Sequence, residues 1–101
     1  MAWTGSARFN FNQTSVNANA PAGSGVYALF NDGQWIYFGE SGNIRDRLTQ
    51  HLNNETNQCV LRSRPQFFAY ELMVGELARK KRQDQLIQEF WHLGLCNQKL
   101  G

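Results

Sequence analysis

Residues 25–39 read Gly-Val-Tyr-Ala-Leu-Phe-Asn-Asp-Gly-Gln-Trp-Ile-Tyr-Phe-Gly, and this stretch decides the fold. Aromatic and β-branched residues, which favour strands, occupy both of its halves. The Asn-Asp-Gly sequence at 31–33 separates the halves and has the turn chemistry of a hairpin, with a glycine for a left-handed position. The stretch therefore predicts a β-hairpin with strands over residues 25–30 and 34–39.

The length of the turn decides where the two hairpin tyrosines, Tyr27 and Tyr37, point. If the loop spans residues 31–33, the tyrosines stand directly opposite each other and share one face of the sheet. If the loop is only residues 32–33, the register shifts and the phenols point to opposite faces. We adopt the three-residue loop, which places two phenols together on one face of a small sheet, a site-like arrangement.

Three further elements follow the hairpin along the chain. Apolar residues recur at every fourth position over residues 44–52, which predicts a short amphipathic helix, and the polar sequence at 53–58 predicts a loop after it. The aromatic-rich sequence at 66–72 predicts a third strand, and the helix-forming residues at 76–93 predict a long helix. This β-β-α-β-α order indicates an α/β fold of the α+β kind, in which helices flank a small three-stranded antiparallel sheet.

The chain has 101 residues, enough for one domain with one modest core. Residues 1–24 are rich in Asn, Ser, Ala and Gly, and we expect them to form an irregular N-terminal arm. This arm would pin the aromatic residues Trp3, Phe9 and Phe11 onto a domain over residues 25–101.

Hydropathy, cysteine spacing and charge indicate the expected surroundings of the protein. The sequence has no apolar run of the ~18 residues that a membrane span needs and no secretory signal, so we expect a cytoplasmic protein without a membrane partner. Cys59 and Cys96 stand apart without zinc-binding spacing, and we expect both thiols to be reduced and structural. The net charge is only +2, but basic residues cluster at 62–64 and 79–82. Each cluster is either a solvated helix face or a phosphate-contacting patch.

Arg47 and His51 lie four residues apart on the predicted helix and therefore share one face of it. A guanidinium can fork two phosphate oxygens, and an imidazole can donate or accept a proton at neutral pH. Together with the phenols of Tyr27 and Tyr37, these are groups that the hydrolysis of a phosphate ester needs. Each is an ordinary packing or surface residue when taken alone, and only their spacing favours a site.

The spacing of these residues resembles that of the GIY-YIG nuclease superfamily. Residues 25–27, Gly-Val-Tyr, resemble the GIY element, and residues 37–39, Tyr-Phe-Gly, resemble the YIG element. In the family an arginine follows the YIG glycine by eight residues, as Arg47 does here, and many members carry a histidine four residues later, as His51 does. The resemblance covers residues 25–97, because the end of this range is similar to the closing helix and asparagine of the family.

The resemblance implies hydrolysis of DNA or RNA with a divalent metal, Mg²⁺ or Mn²⁺. It implies that a tyrosine takes a proton from water and that the arginine stabilises the charge on the phosphate. The family holds its metal through a glutamate on the later helix, and the residue at that position here is Gln83. A neutral amide lacks the charge that a hard cation favours. Asp84 and Glu76 are the alternative ligands, although neither lies at the family position.

The sequence therefore predicts a GIY-YIG-type endonuclease with Tyr27, Tyr37, Arg47 and His51 as catalytic residues, impaired if Gln83 cannot hold the metal. We expect Tyr27, Tyr37 and Arg47 to face one shared cleft, with His51 at its rim. The expected partner is nucleic acid, with DNA first, and the residues expected to contact it are Arg45, Arg79, Lys80 and Arg82. Two alternatives stay open. One is a catalytically degenerate module that binds nucleic acid, and the other is a protein-interaction domain with a vestigial site.

Overall fold

Helices cover both faces of one antiparallel sheet in the computed structural model, which describes residues 7–97. Within that range the strands are β1 Phe9–Asn10, β2 Gly25–Asn31, β3 Gln34–Ser41 and β4 Phe67–Leu72. They lie in the order β1-β4-β2-β3, so that β3 is an edge strand. The helices are α1 Gln13–Asn19, α2 Ile44–Asn53, α3 Gln58–Ser63 and α4 Glu76–Phe90, and a 3₁₀ turn at Trp91–Leu93 follows α4. Among the described residues, no helix has both the length and the apolar character to cross a membrane.

The structure confirms the α/β fold that was predicted from the sequence, with the hairpin, the following helix, the next strand and the long helix all present. The sheet has four strands rather than the expected three, because β1 pairs with β4 and places Phe9 opposite Phe68. The segment missed is two residues long, too short for its sequence to show strand periodicity.

The described part of the N-terminal segment is more regular than the expected arm. Asn12 caps α1 through its side-chain oxygen, which accepts a hydrogen bond of 2.8 Å from the backbone N–H three residues later. Val16 of α1 is fully buried in the same apolar layer as α2. The expectation of irregular structure is therefore wrong for residues 9–10 and 13–19, while Trp3 lies outside the described residues.

The hairpin turn is shorter than the expected three-residue loop. Asn31 pairs with Gln34, so the loop is the two-residue Asp32-Gly33. Gly33 has a φ of 74°, the left-handed conformation that such a turn requires. In a regular hairpin this loop would send the two phenols to opposite faces of the sheet.

A β-bulge in β3 reverses that outcome. Beyond the turn the pairing slips by one residue, and Ile36 is the extra residue of the bulge. Leu29 then pairs with Tyr37, and Tyr27 pairs with Gly39. Tyr27 and Tyr37 are thus diagonal neighbours on one face, so the shared face that we predicted is present although the predicted register is wrong.

Two apolar layers lie against the two faces of the sheet. The first joins α1, α2 and α3 to the sheet through buried residues that include Val16, Tyr27, Leu29, Ile36, Ile44, Leu48 and Val60. The second joins α4 to the sheet through Val26, Ala28, Phe38, Leu86 and Ile87. Tyr37 packs against the first layer, so both hairpin tyrosines face α2.

The two cysteines form a disulfide, and the expectation of reduced thiols is wrong. Cys59 lies on α3 and Cys96 lies after the 3₁₀ turn, and their Cα atoms are 5.4 Å apart although 37 residues separate them in the sequence. The polar sequence before Cys59 was interpreted as a loop, but Asn57 caps α3 by accepting hydrogen bonds from Cys59 N and Val60 N. This helix brings the two sulfur atoms together.

Candidate active site

Gly39, the last residue of the second tyrosine element, makes room for the first tyrosine. It pairs with Tyr27 across β2 and β3, and a Cβ atom at residue 39 would overlap the Cζ and Oη atoms of Tyr27. A residue without a side chain can let a ligand approach the backbone closely. In the structure the Tyr27 phenol occupies that space, so Gly39 fixes the position of a functional side chain.

Three rings meet where α2 crosses the hairpin. Asn43 caps α2, and the buried Ile44 and Leu48 hold the helix against the sheet. The centroid of the His51 imidazole lies 5.5 Å from that of Tyr27 and 5.3 Å from that of Tyr37, and the phenol centroids are 6.3 Å apart. The structure therefore brings His51 together with both tyrosines in one triangular cluster.

A chain of hydrogen bonds passes through His51. Its Nε2 atom lies 2.7 Å from the Tyr27 hydroxyl, and its Nδ1 atom lies 2.5 Å from Glu55 Oε1. Glu55 Oε2 accepts a further hydrogen bond of 2.9 Å from Asn57 N. Because both carboxylate oxygens accept, Nδ1 must donate its proton to Glu55, and Nε2 of the neutral imidazole is left to accept the Tyr27 proton. The neutral Tyr27 phenol is thus a hydrogen-bond donor to His51.

Burial keeps both phenols protonated. It raises the pKa of Tyr27 well above its usual value, nearby Tyr37 adds to this shift, and the Arg47 guanidinium opposes it. Burial also raises the pKa of Tyr37, and Arg47 again opposes the shift. At neutral pH a phenolate therefore forms only when a neighbouring group accepts the phenolic proton.

A cleft of about 390 Å³ opens beside this cluster. Arg47 and His51 both line it, and Arg47 is exposed, whereas the His51 side chain is only 9% exposed. Tyr27 is fully buried behind His51 rather than exposed to the cleft, and His51 is not at the rim where we expected it. The lining residues are Tyr37, Arg47, Gln50, His51, Asn54, Glu55, Thr56, Asn57 and Asn97.

Two of the four residues expected to contact nucleic acid differ sharply in exposure. Arg82 is 7% exposed and forks the Glu71 carboxylate, with Nε–Oε1 and Nη2–Oε2 distances of 2.9 and 3.1 Å. This guanidinium is therefore buried between α4 and β4 and paired with a carboxylate of the protein. Lys80 lies on the surface of α4 with its side chain 55% exposed, and it pairs with Glu76 at 3.0 Å.

The other two expected contacts are half-buried and have protein partners. Arg79 Nε donates to Glu40 Oε1 at 3.0 Å, which ties α4 to the end of β3. Arg45 Nε donates to Ala20 O at 2.8 Å, which ties α2 to the end of α1. Of the four, Lys80 is therefore the cation that is most accessible to a phosphate.

A family model described as the GIY-YIG catalytic domain matches residues 23–90, more than half of the chain. The chain belongs to this family. The matched range contains the hairpin, α2, β4 and α4, and with them Tyr27, Tyr37, Arg47 and His51. No curated protein matches the chain.

Solved structures of the GIY-YIG N-terminal endonuclease domain of UvrC from Thermotoga maritima have a similar fold. The magnesium-bound form aligns with a TM-score of 0.64 and 22% sequence identity, covering 75% of this chain and 90% of that one. Two variants of that domain, one with a tyrosine changed to phenylalanine and one with an asparagine changed to alanine, align with the same score and identity over 75% of this chain and 89% of theirs. Both variants are described as bound to a catalytic divalent cation. At this level of identity the likeness establishes the fold alone.

The GIY-YIG family implies a divalent metal, and the donor chemistry near α4 tests whether this chain suits one. Gln83 Nε2 donates to Phe38 O at 3.1 Å, and Asn97 Nδ2 donates to the same oxygen at 2.8 Å. Both side chains are neutral amides, and residues 7–97 contain no group of three or more His, Cys, Asp or Glu side chains that could hold a metal ion. Hard divalent cations favour anionic oxygen ligands. The described residues therefore do not fit a cation held tightly by the protein itself.

Sequence reasoning missed two residues of the site. Glu55 was interpreted as part of a polar loop, although its position four residues after His51 was a usable signal, since side chains at that spacing meet on a helix. The role of Asn57 had no such signal, because its side chain donates to Cys96 O across 39 residues of sequence. Asn97 was noted through the family resemblance, and its side chain bonds to both the N–H and the carbonyl of Phe38 on the edge strand.

Proposed function

We propose that this GIY-YIG domain is an endonuclease that hydrolyses nucleic-acid phosphodiesters, with DNA as the first substrate to test. The observation that carries the proposal is the contact between the Tyr27–His51 pair and a cleft that also contains Tyr37 and Arg47. A hydrogen-bonded acid–base pair, a second phenol and an exposed guanidinium at one cleft are the protein groups that phosphoryl transfer to water requires.

Arg47 is the phosphate-binding group of the proposed site. Its guanidinium is exposed at the cleft and lies close enough to Tyr27 and Tyr37 to lower the pKa of each against the larger effect of burial. In that position it can fork two oxygens of a phosphodiester and stabilise the charge that develops on them during attack. The same positive charge favours a phenolate beside it.

The Tyr27–His51 pair is the proton acceptor. Transfer of the Tyr27 proton to His51 Nε2 gives a phenolate and an imidazolium, and the phenolate then takes a proton from the attacking water. Because Tyr27 is fully buried and does not line the cleft, the water has to enter through the cleft wall beside His51 to reach the phenolate. The 2.7 Å separation of the two atoms is suitable for such a transfer. Without His51, the buried phenol would remain protonated at neutral pH, since burial raises the pKa of Tyr27.

Binding of a divalent metal is expected to be weak in this chain. The UvrC domain that shares the fold is described with a catalytic magnesium ion, whereas Gln83 supplies only a neutral amide on α4. The proposed proton transfer from Tyr27 to His51 therefore uses no cation held by the protein. We propose that turnover is low for this reason, and that binding of the phosphate by Arg47 is less affected.

The experiment that tests this function is a cleavage assay on plasmid and single-stranded DNA with Mg²⁺, with Mn²⁺ and with a chelator. The parent protein, Arg47→Ala and Gln83→Glu are compared with Asp32→Asn, a control at the far end of the hairpin, where Asp32 is exposed and pairs with Arg8. We expect cleavage in the parent and Gln83→Glu proteins that Arg47→Ala abolishes and Asp32→Asn retains. DNA binding without cleavage by either the parent or Gln83→Glu would contradict the proposal.

That contrary outcome is the signature of the second candidate function, a degenerate domain that binds nucleic acid. It is favoured by the hydrogen bond that commits Gln83 to Phe38 O. Such a domain would bind DNA with an affinity that falls steeply as salt rises, because phosphate contacts release counterions. A domain that only binds proteins would show neither cleavage nor salt-dependent binding.

A further inference from the structure

We propose that Glu55 is a positioning residue of the site, which holds His51 in the one tautomer and orientation that can accept the Tyr27 proton. This inference rests on the proposed function, since it names a residue that the proposed proton transfer needs. Glu55 lies between α2 and α3, outside the motif residues from which the site was predicted.

The first argument is the placement of the carboxylate. The Glu55 side chain is 7% exposed, and its two oxygens receive hydrogen bonds from His51 Nδ1 at 2.5 Å and from Asn57 N at 2.9 Å. A buried carboxylate is costly to desolvate, and its pairing with a histidine offsets that cost only in part. Both Glu55 oxygens are therefore held in place, and one of them lies against His51 Nδ1 in the wall of the cleft.

The second argument is the tautomer that this placement selects. A carboxylate only accepts hydrogen bonds, so Glu55 keeps the proton of the neutral imidazole on Nδ1. Nε2 then has a free lone pair directed at the Tyr27 hydroxyl, 2.7 Å away. The opposite tautomer would place N–H against O–H at this contact and leave Tyr27 with no acceptor in His51.

The third argument concerns charge. When the Tyr27 O–H bond breaks and an N–H bond forms at His51 Nε2, the imidazole becomes an imidazolium between a phenolate and Glu55. The negative charge of Glu55 stabilises this imidazolium. The same charge helps to raise the pKa of Tyr27, so it opposes ionisation of the phenol when His51 does not take the proton. The phenol recovers a proton from the attacking water as the water oxygen bonds to phosphorus and the bond from phosphorus to the leaving ester oxygen breaks. The leaving oxygen takes a proton from solvent, and His51 returns its proton to solvent, so the protein ends the cycle unchanged.

The charged and titratable groups around His51 come from three elements and one loop. They are Tyr27 of β2, Tyr37 of β3, Arg47 of α2 and Glu55 of the following loop. Removal of the Glu55 charge alone therefore leaves the guanidinium and both phenols in place. This makes Glu55→Gln a specific change, because its amide has nearly the same shape but can donate a hydrogen bond to Nδ1.

The tautomer is measured directly by long-range proton–nitrogen correlation spectra of the whole chain. The sequence has only two histidines, His51 and His92, so a His92→Gln variant assigns the signals. We expect the Nδ1–H tautomer of His51 in the parent protein and in the Asp32→Asn control, and loss of that preference in Glu55→Gln. An unchanged Nδ1–H tautomer in a folded Glu55→Gln protein would overturn the proposal.

The rate measurement then separates positioning from a structural role. We expect Glu55→Gln to lower kcat by about 10²–10⁴-fold with a smaller change in KM, because a misoriented base lowers the chemical step rather than binding. In a His51→Gln background, Glu55→Gln should have no further effect, since Glu55 acts through His51. A loss that persists in that background, or a shifted tautomer with unchanged kcat, would refute the role.

These measurements distinguish failure of the inference from failure of the proposed function. If neither the parent nor Gln83→Glu cleaves nucleic acid, the proposed function fails, and the tautomer of His51 can still be measured in the same proteins. If the proteins cleave but Glu55→Gln is as active as the parent, the inference fails and the proposed function stands. Thermal unfolding of each variant verifies that the comparison is made between folded proteins.

Discussion

Tyr27 and Gly39 stand opposite each other in the β2–β3 pair, and the Tyr27 ring fills the space that a side chain at residue 39 would need. The two family elements are therefore one steric unit. The glycine of the second element sets the position of the tyrosine of the first, and that position sets the 2.7 Å contact between the Tyr27 hydroxyl and His51.

The first prediction follows from this unit. Gly39→Ala should displace the Tyr27 ring, because the new Cβ atom would overlap its Cζ and Oη atoms. We expect a loss of stability of about 1–3 kcal/mol, typical of overpacking, together with loss of cleavage. Urea unfolding measures the first and the DNA assay the second. Gly23→Ala is the matched control, since its Cβ would meet only Leu72 Cδ2 at an ordinary 3.5 Å. Equal stability of the two variants would contradict the prediction.

The second prediction concerns alkaline pH. The folded-state pKa of Tyr27 is raised by burial, whereas the unfolded chain ionises its tyrosines near pH ~10. The unfolded state therefore loses this proton first, and the stability that the neutral phenol contributes is present below pH ~10 and lost as pH rises further. Urea unfolding between pH ~8 and ~11 should show a decline that is shallower in Tyr27→Phe. An identical pH dependence of the two proteins would show that Tyr27 ionises as readily in the folded state as in the unfolded one.

The hairpin shows how much of the fold could be predicted from the sequence. Both strands and a turn within residues 31–33 follow from local composition, and the structure confirms them, although the loop has two residues rather than the three that we adopted. The register does not follow, because the bulge at Ile36 has no local sequence signal. Ile36 and Tyr37 enter the same apolar layer, and that burial, a property of the packed sheet, decides the pairing.

The candidate site also has residues that could be placed from the sequence and features that only the structure shows. Arg47 and His51 could be placed from their helical spacing, and the tyrosines from the hairpin, since both periodicities are local. Three other features depend on contacts between segments far apart in the chain. They are the complete burial of Tyr27, the ion pair between Arg82 and Glu71, and the disulfide. Composition indicates that Arg82 belongs to a basic cluster, but only the packing of α4 against β4 shows that it is buried.

The third prediction concerns the disulfide. It closes a loop of 37 residues, so reduction by a dithiol should lower the free energy of unfolding by about 2–4 kcal/mol. Cys59→Ser should cause a similar loss and should be insensitive to the dithiol. Thermal or urea unfolding with and without reductant measures both. A parent protein whose stability is the same in dithiol, with its thiols shown by titration to be free, would contradict the prediction.

The last prediction concerns Gln83, whose amide donates to Phe38 O on the edge strand. A glutamate at this position cannot donate that hydrogen bond and would face the carbonyl oxygen with a negative charge. Asn97 still donates to the same oxygen at 2.8 Å, so β3 remains held. We therefore expect Gln83→Glu to lose about 1 kcal/mol of stability in the absence of metal.

Divalent metal should reverse that loss, because the new carboxylate supplies the anionic oxygen that Mg²⁺ and Mn²⁺ favour. Cleavage should rise with it, on the order of 10²–10³-fold over the parent, as expected when one electrostatic contributor to the transition state is restored. The measurements are the melting temperature and the cleavage rate against Mg²⁺ and Mn²⁺ concentration. Gln88→Glu, the same change at an exposed position of α4, is the control and should show neither effect. The contrary result has three parts: the parent cleaves well with metal, Gln83→Glu leaves that rate unchanged, and Arg47→Ala abolishes it. Together they would show that the metal is held elsewhere and that Gln83 has been assigned wrongly.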